Sequence, residues 1–173
     1  MGLITLITGG ARSGKSGYAI ERAMAHRGPR RTFVATAQAL DDEMRARIEH
    51  HRASRPAEFQ TIEEPLNVVA ALAGLKGRAD IVVLDCLTLW VSNLMAFHSG
   101  DTAVLGEADS LAEVLREASY ASAIVTDEVG AGIVPDNPAS RRFRDLLGWT
   151  NQKVAKVADE VILMVAGLPL RVK

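Results

Sequence analysis

The sequence predicts an α/β fold in which helices flank a mainly parallel sheet, and three observations predict it. Short apolar, β-branched runs alternate with segments of helical periodicity along the chain. A glycine-rich turn at residues 9–16 joins the first such run to the first helix, in the strand–turn–helix order of a phosphate-binding loop. After the last long apolar run, Gly167-Leu168-Pro169 turns the chain, so that Leu170-Arg171-Val172 pairs back as an antiparallel edge. A length of 173 residues, 48% of them apolar, suits one domain with a full core over residues 1–173.

Leu3-Ile4-Thr5-Leu6-Ile7-Thr8 reads as a buried strand. Tyr18, Ala19, Ile20, Ala23 and Met24 then recur at helical spacing, and Gly28-Pro29 ends that helix. Thr32-Phe33-Val34-Ala35-Thr36 is the second strand. Asp41 or Asp42 caps a helix over residues 42–52, and Ser54-Arg55-Pro56 stops it. Met44, Ile48 and His51 share one face of this helix, and Glu43, Arg47 and His50 a neighbouring one. The adjacent histidines therefore diverge by about 100°. His51 is expected to lean toward the core and His50 toward the polar side.

Residues 58–63 alternate as a short strand, and residues 65–75 read as a helix. Ile81-Val82-Val83-Leu84-Asp85 is a continuous apolar run ending in an acid. Residues 87–97 form an apolar helix around Trp90, either packed inside or against another subunit. Residues 99–107 read as a Gly/Asp/Ser loop, followed by a helix over 108–119. Ala123-Ile124-Val125-Thr126 is a strand running into Asp127-Glu128 and a glycine-rich loop, residues 129–135. Asn137-Pro138 starts a long helix, with Asn at the cap and Pro in the first turn. Phe143, Leu147, Thr150, Val154 and Val157 form its apolar stripe, and Arg141, Arg142 and Arg144 line its first turns. Residues 160–165 are the last core strand.

A net charge of −1 argues against a nucleic-acid or membrane surface, and no apolar run is long enough for a membrane span. Cys86 is the only cysteine, so no internal disulfide forms. The N-terminus enters strand and loop without a basic region ahead of an apolar segment. No signal peptide is expected, and the expected compartment is the cytoplasm.

Gly9-Gly10-Ala11-Arg12-Ser13-Gly14-Lys15-Ser16 fits G-x-x-x-x-G-K-[ST]. Glycines let successive N–H groups point at one phosphate, and the following helix offers its positive end to the same anion. Lys15 is expected to reach the β- and γ-phosphates and the Ser16 hydroxyl to hold Mg²⁺. Asp85, at a strand tip, is the second expected Mg²⁺ ligand. The predicted fold is thus a three-layer P-loop NTPase fold of RecA-like type. Two classes compete: a small-molecule kinase or nucleotidyltransferase, and a nucleotide-driven switch or ATPase. No Asn-Lys-x-Asp guanine motif is present, and the length favours a metabolic enzyme. A histidine near the phosphates offers a neutral nucleophile for a phosphoryl or nucleotidyl group. Alternatively, it is a surface histidine on a charged helix.

Several blocks together carry a family resemblance. They are the loop from Thr8 to Ser16, Ala35-Thr36-Ala37-Gln38, Asp41-Asp42-Glu43-Met44 through Arg47-Ile48 to His50-His51, Arg55-Pro56 and Asp85-Cys86. Glu128-Val129-Gly130, Gly132-Ile133-Val134-Pro135, Asn151-Gln152 and Ala158-Asp159-Glu160-Val161 complete the set. In this order they resemble the bifunctional adenosylcobinamide kinase / adenosylcobinamide-phosphate guanylyltransferases of cobalamin biosynthesis. The resemblance implies phosphorylation of adenosylcobinamide by ATP or GTP, then GMP transfer from GTP to adenosylcobinamide phosphate through a guanylylated histidine, His50. It implies nucleotide contacts at residues 9–16, at Thr36, Ala37 and Gln38, at His51, Arg52, Ala53 and Ser54, and at Glu63 and Asp85. It also implies a homotrimer with a corrinoid substrate and no nucleic-acid partner. Asp85 stands where some members carry Glu, and Asp127 where the pattern has Asn, so the role of Asp127 stays open. The rival reading is a P-loop kinase of another small molecule with no histidyl intermediate.

Overall fold

The computed structural model describes residues 2–53 and 55–173, and of Arg47 the backbone alone. Ser54 of the expected nucleotide contacts therefore lies outside the described residues, as does the Arg47 side chain. The strands are β1 (Ile4–Gly9), β2 (Arg31–Ala35), β3 (Phe59–Glu63), β4 (Ile81–Asp85), β5 (Ala121–Val125), β6 (Glu160–Val165) and β7 (Leu168–Arg171). They form one sheet in the order β3-β2-β4-β5-β1-β6-β7. All neighbours are parallel except β7, which runs antiparallel to β6 as the C-terminal edge. Ala166 and Gly167, with φ of 52° and 84°, make the tight turn between them.

Helices α1 (Lys15–Ala25), α2 (Asp42–Ala53), α3 (Val68–Ala73), α4 (Leu87–Phe97), α5 (Asp101–Glu117) and α6 (Pro138–Val157) complete the chain. Strand alternation sorts the core into two halves. Leu6, Val82, Leu84 and Ile124 face α3, α4, α5 and α6, where Trp90, Leu111 and Leu147 are buried. Ile7, Val83, Ala123 and Val125 face α1 through Ala19 and Ala23. This is the predicted three-layer arrangement.

The C-terminal edge starts at Leu168, inside the predicted turn, because Ala166 and Gly167 already reverse the chain, and three helices differ from expectation. Helix α5 begins at Asp101, so the predicted loop over 99–107 is largely helix. Val104 and Ala108 extend the buried stripe of Leu111, Ala112 and Leu115, and Arg142 of α6 ties down Asp101 at 2.5 Å. Packing against α6 overrides the loop-like residues, and it outweighs the cost of about 1 kcal/mol that Gly106 brings to the open side of the helix. Helix α3 is shorter than predicted, because the Glu64 carboxylate accepts from the N–H groups of Leu66 and Asn67 and delays the start. Helix α2 is capped by Asp41, which accepts from Met44 N at 2.7 Å, but it buries none of its described side chains. Met44 and Ile48 are half-buried, and His51 is exposed rather than turned to the core. The apolar stripe is too sparse to seat the helix on the sheet face.

Helix α4 packs inward through Leu87, Trp90, Val91 and Leu94, leaving Phe97 outside. Among the described residues, no helix is long and apolar enough to cross a membrane. The register aligns Glu63, Ala35, Asp85 and Val125 across β3, β2, β4 and β5. The carboxyl ends of these strands thus form one edge, where α1 begins.

Candidate nucleotide site

The turn at residues 9–16 has the backbone a phosphate cradle requires. Gly9 and Gly14 sit at φ of 153° and 94°. A Cβ on Gly9 would lie 2.6 Å from the Met164 carbonyl oxygen and 2.7 Å from Ser13 Oγ, so only glycine fits. Arg12 holds φ at 55°, an uncommon state for a side-chain-bearing residue, and it turns the loop tip. Gly14 occupies the N-cap place of α1 with no side-chain cap, which leaves the first N–H groups to an anion.

Lys15 is buried and folds back across this loop. Its Nζ donates to the Gly10 carbonyl at 2.6 Å and pairs with Asp127 Oδ1 at 2.7 Å. Asp127 is itself held by its backbone. Its N–H donates to Thr88 Oγ1 at 2.8 Å, and its carbonyl accepts from Asn151 Nδ2 at 3.2 Å. Buried Asn151 also accepts from the Thr126 hydroxyl at 2.7 Å. Two helices, α4 and α6, thereby fix the carboxylate that holds the loop lysine.

Asp85 sits at the tip of β4, two strands away from β1. The Ser16 hydroxyl hydrogen-bonds its carboxylate. Burial pushes the Asp85 carboxyl above the usual range, against the opposing pull of Ser16, His51 and Arg55. Ser16 and Asp85 are hard oxygen donors already in contact, which suits Mg²⁺. Among the described residues, no group of three or more His, Cys, Asp or Glu is placed to hold a metal ion. A divalent ion here would complete its shell with phosphate oxygens and water.

The other expected contacts surround this edge. Thr36 is fully buried, and its polar groups are engaged inside the protein. Its hydroxyl donates to the Cys86 carbonyl at 2.7 Å, and its carbonyl accepts from Asn93 at 2.8 Å. Thr36 thus braces the Asp85 tip, while Ala37 and Gln38 reach partial exposure. At the end of β3, Glu63 is paired with Arg52 from the last turn of α2. His50 and His51 are exposed, with ring centroids 6.4 Å apart and planes at 79°. His51 lies within electrostatic reach of Asp85, so the C-terminal end of α2 overhangs the tips of β3 and β4.

Two residues escape the motif reading. Asp127 has a lysine partner far away in sequence, and no local pattern marks it. Arg55 lies over the Phe33 ring, with its guanidinium carbon 4.0 Å from the centroid. In the sequence it reads as part of a helix stop and of one resemblance block, with no role of its own. The assembled edge offers backbone N–H groups and a lysine to an anion, presents oxygen donors suited to a divalent cation, and carries histidines on an adjoining helix.

The chain is similar to known proteins over nearly its full length. The family model described as cobinamide kinase / cobinamide phosphate guanyltransferase matches residues 5–172. A bifunctional adenosylcobalamin biosynthesis protein of Pseudomonas aeruginosa is 44% identical over 97% of this chain and 96% of its own length. Proteins of the same description from Escherichia coli and Salmonella typhimurium are each 37% identical over 99% of this chain and 100% of their own length. In fold alone, the chain is similar to the RadB recombinase, with a TM-score of 0.54 at 15% identity over 93% of this chain and 73% of that one. A match that begins inside β1 and runs past β7 leaves no element of the fold outside it, and the chain belongs to the cobinamide kinase / cobinamide phosphate guanyltransferase family.

Proposed function

We propose that the chain carries out two consecutive reactions of cobalamin nucleotide-loop assembly. ATP or GTP first phosphorylates the hydroxyl of the aminopropanol arm of adenosylcobinamide. GTP then guanylylates His50, and GMP passes to adenosylcobinamide phosphate, giving adenosyl-GDP-cobinamide and pyrophosphate. The observation that carries this reading is the overhang of the His50-His51 end of α2 above the tip of β4, where Asp85 meets Ser16 of α1.

Backbone N–H groups of residues 9–16 and Lys15 would hold the phosphates, and Lys15 would leave Asp127 to do so. Ser16 and Asp85 would hold Mg²⁺, which supplies charge neutralisation on the transferring phosphates when bound. In the guanylyl step, a ring nitrogen of His50 attacks the α-phosphorus. The N–P bond forms, the bond to the β-phosphate oxygen breaks, pyrophosphate leaves and the ring proton passes to solvent. The phosphate of the corrinoid then displaces His50. Ala37, Gln38, His51, Arg52, Ala53, Ser54 and Glu63 would line the nucleoside end, with Glu63 accepting from guanine or ribose. The kinase step needs the γ-phosphorus at the acceptor instead, and α2, which buries none of its described side chains, suits a helix that swings between the two poses. The exposed apolar edge of Leu168 and Leu170 on β7 suits subunit contact in the expected homotrimer.

The test is product analysis with adenosylcobinamide, Mg²⁺, ATP and GTP. The parent chain is expected to form adenosyl-GDP-cobinamide, and His50→Ala to stop at adenosylcobinamide phosphate. Full conversion by His50→Ala would overturn the histidyl route. Loss of phosphorylation together with guanylylation would overturn the separation of roles.

A further inference from the structure

Arg55 is the residue the proposed reactions do not yet use. It follows α2 at the strand tips, half-buried, with its guanidinium stacked on Phe33 of β2. One of its donors, Nη1, is buried and finds no acceptor among the described residues. The nearby carboxylates are already engaged, Asp85 by Ser16 and Glu63 by Arg52. Burial pushes the guanidinium pKa down, with the charges of Asp85 and Glu63 opposing that shift. A buried donor without a partner costs free energy, and an anion bound at this edge would supply the missing acceptor. The ring of Phe33 fixes the fork in one plane, which leaves little rotamer freedom to be lost when an anion binds.

We propose that Arg55 is an anion-binding residue of the nucleotide site, which takes a phosphate oxygen of the triphosphate from the wall opposite Lys15. The two cations then approach the phosphates from different strands, Lys15 from beyond β1 and Arg55 across β2. A planar fork held this way supplies directed donors that a lysine would not. This inference rests on the reading of residues 9–16 as a nucleotide site.

The experiment uses the full chain with Arg55→Met and Arg55→Lys, and reads Mg–GTP affinity by calorimetry and thermal unfolding without nucleotide. Methionine keeps the apolar cover on Phe33 and removes the orphaned charge. The expected result for Arg55→Met is a ten-fold or greater loss of GTP affinity with an unchanged or higher Tm. Arg55→Lys is expected to recover only part of the affinity. Affinity of Arg55→Met within two-fold of the parent would overturn the proposal while leaving the nucleotide site intact. A Tm that falls along with the affinity would assign Arg55 a structural role and equally overturn it. Absence of GTP binding by the parent chain would overturn the nucleotide site itself, and this inference with it.

Discussion

Replacing Asn151 with leucine tests how α6 supports the loop lysine. The two side chains are close in size, so no cavity opens and the effect is one of hydrogen bonding. The Thr126 hydroxyl, buried and 2.7 Å from Asn151 Oδ1, loses its acceptor. An orphaned buried hydroxyl costs about 1–3 kcal/mol. The Asp127 carbonyl loses the 3.2 Å bond from Asn151 Nδ2, a further loss of about 1 kcal/mol. Leucine is the better helix former and returns about 0.5 kcal/mol within α6. The net destabilisation is about 1.5–3.5 kcal/mol. For a chain of 173 residues this lowers Tm by about 3–14 °C, at about 2–4 °C per kcal/mol. The assay is thermal unfolding without nucleotide, followed by a Mg–GTP titration. GTP affinity is expected to fall as well, because Asp127 positions Lys15. An unchanged Tm would refute the claim that Asn151 clamps the end of β5.

Two pH-linked outcomes follow from the carboxylates. Burial raises the Asp85 pKa, so between the ordinary and the raised value the folded chain binds the extra proton and stability declines as pH rises. Asp85→Asn removes that decline and is expected to raise the Tm of the nucleotide-free chain at neutral pH, converge with the parent in acid, and weaken Mg–GTP binding. A variant less stable than the parent at neutral pH would contradict this. Asp80 is the opposite case: hydrogen bonds from Arg30 lower its pKa from the ordinary 3.8 to about 2. Its contribution is present above the ordinary value and is lost as pH falls through about 2. The Tm deficit of Asp80→Asn, measured by calorimetry across pH, is therefore expected at neutral pH and to vanish at the acid end.

Local chemistry made much of the fold legible. The loop at residues 9–16 was readable because its glycines answer backbone demands, a left-handed φ at Gly14 and a close approach at Gly9. Asp85 was readable because a continuous apolar run ends in an acid. The start of α5 was not, since Gly100, Asp101 and Gly106 have loop chemistry and only packing of Val104 and the Arg142–Asp101 pair decide for helix. The placing of His51 failed for a related reason: periodicity gives the relative directions of side chains on α2, but not what lies beneath them. The Lys15–Asp127 pair and the stacking of Arg55 on Phe33 join residues remote in sequence, and only the sheet order brings them together.

The proposed function turns on guanylylation of His50 at this site. The most direct measurement is incubation of the protein with Mg²⁺ and GTP labelled at the α-phosphate, followed by assay of label retained on the chain. The expected result is acid-labile, alkali-stable label, present in the parent and absent in His50→Ala. Folded, GTP-binding protein that retains no label, or label that survives in His50→Ala, would contradict it.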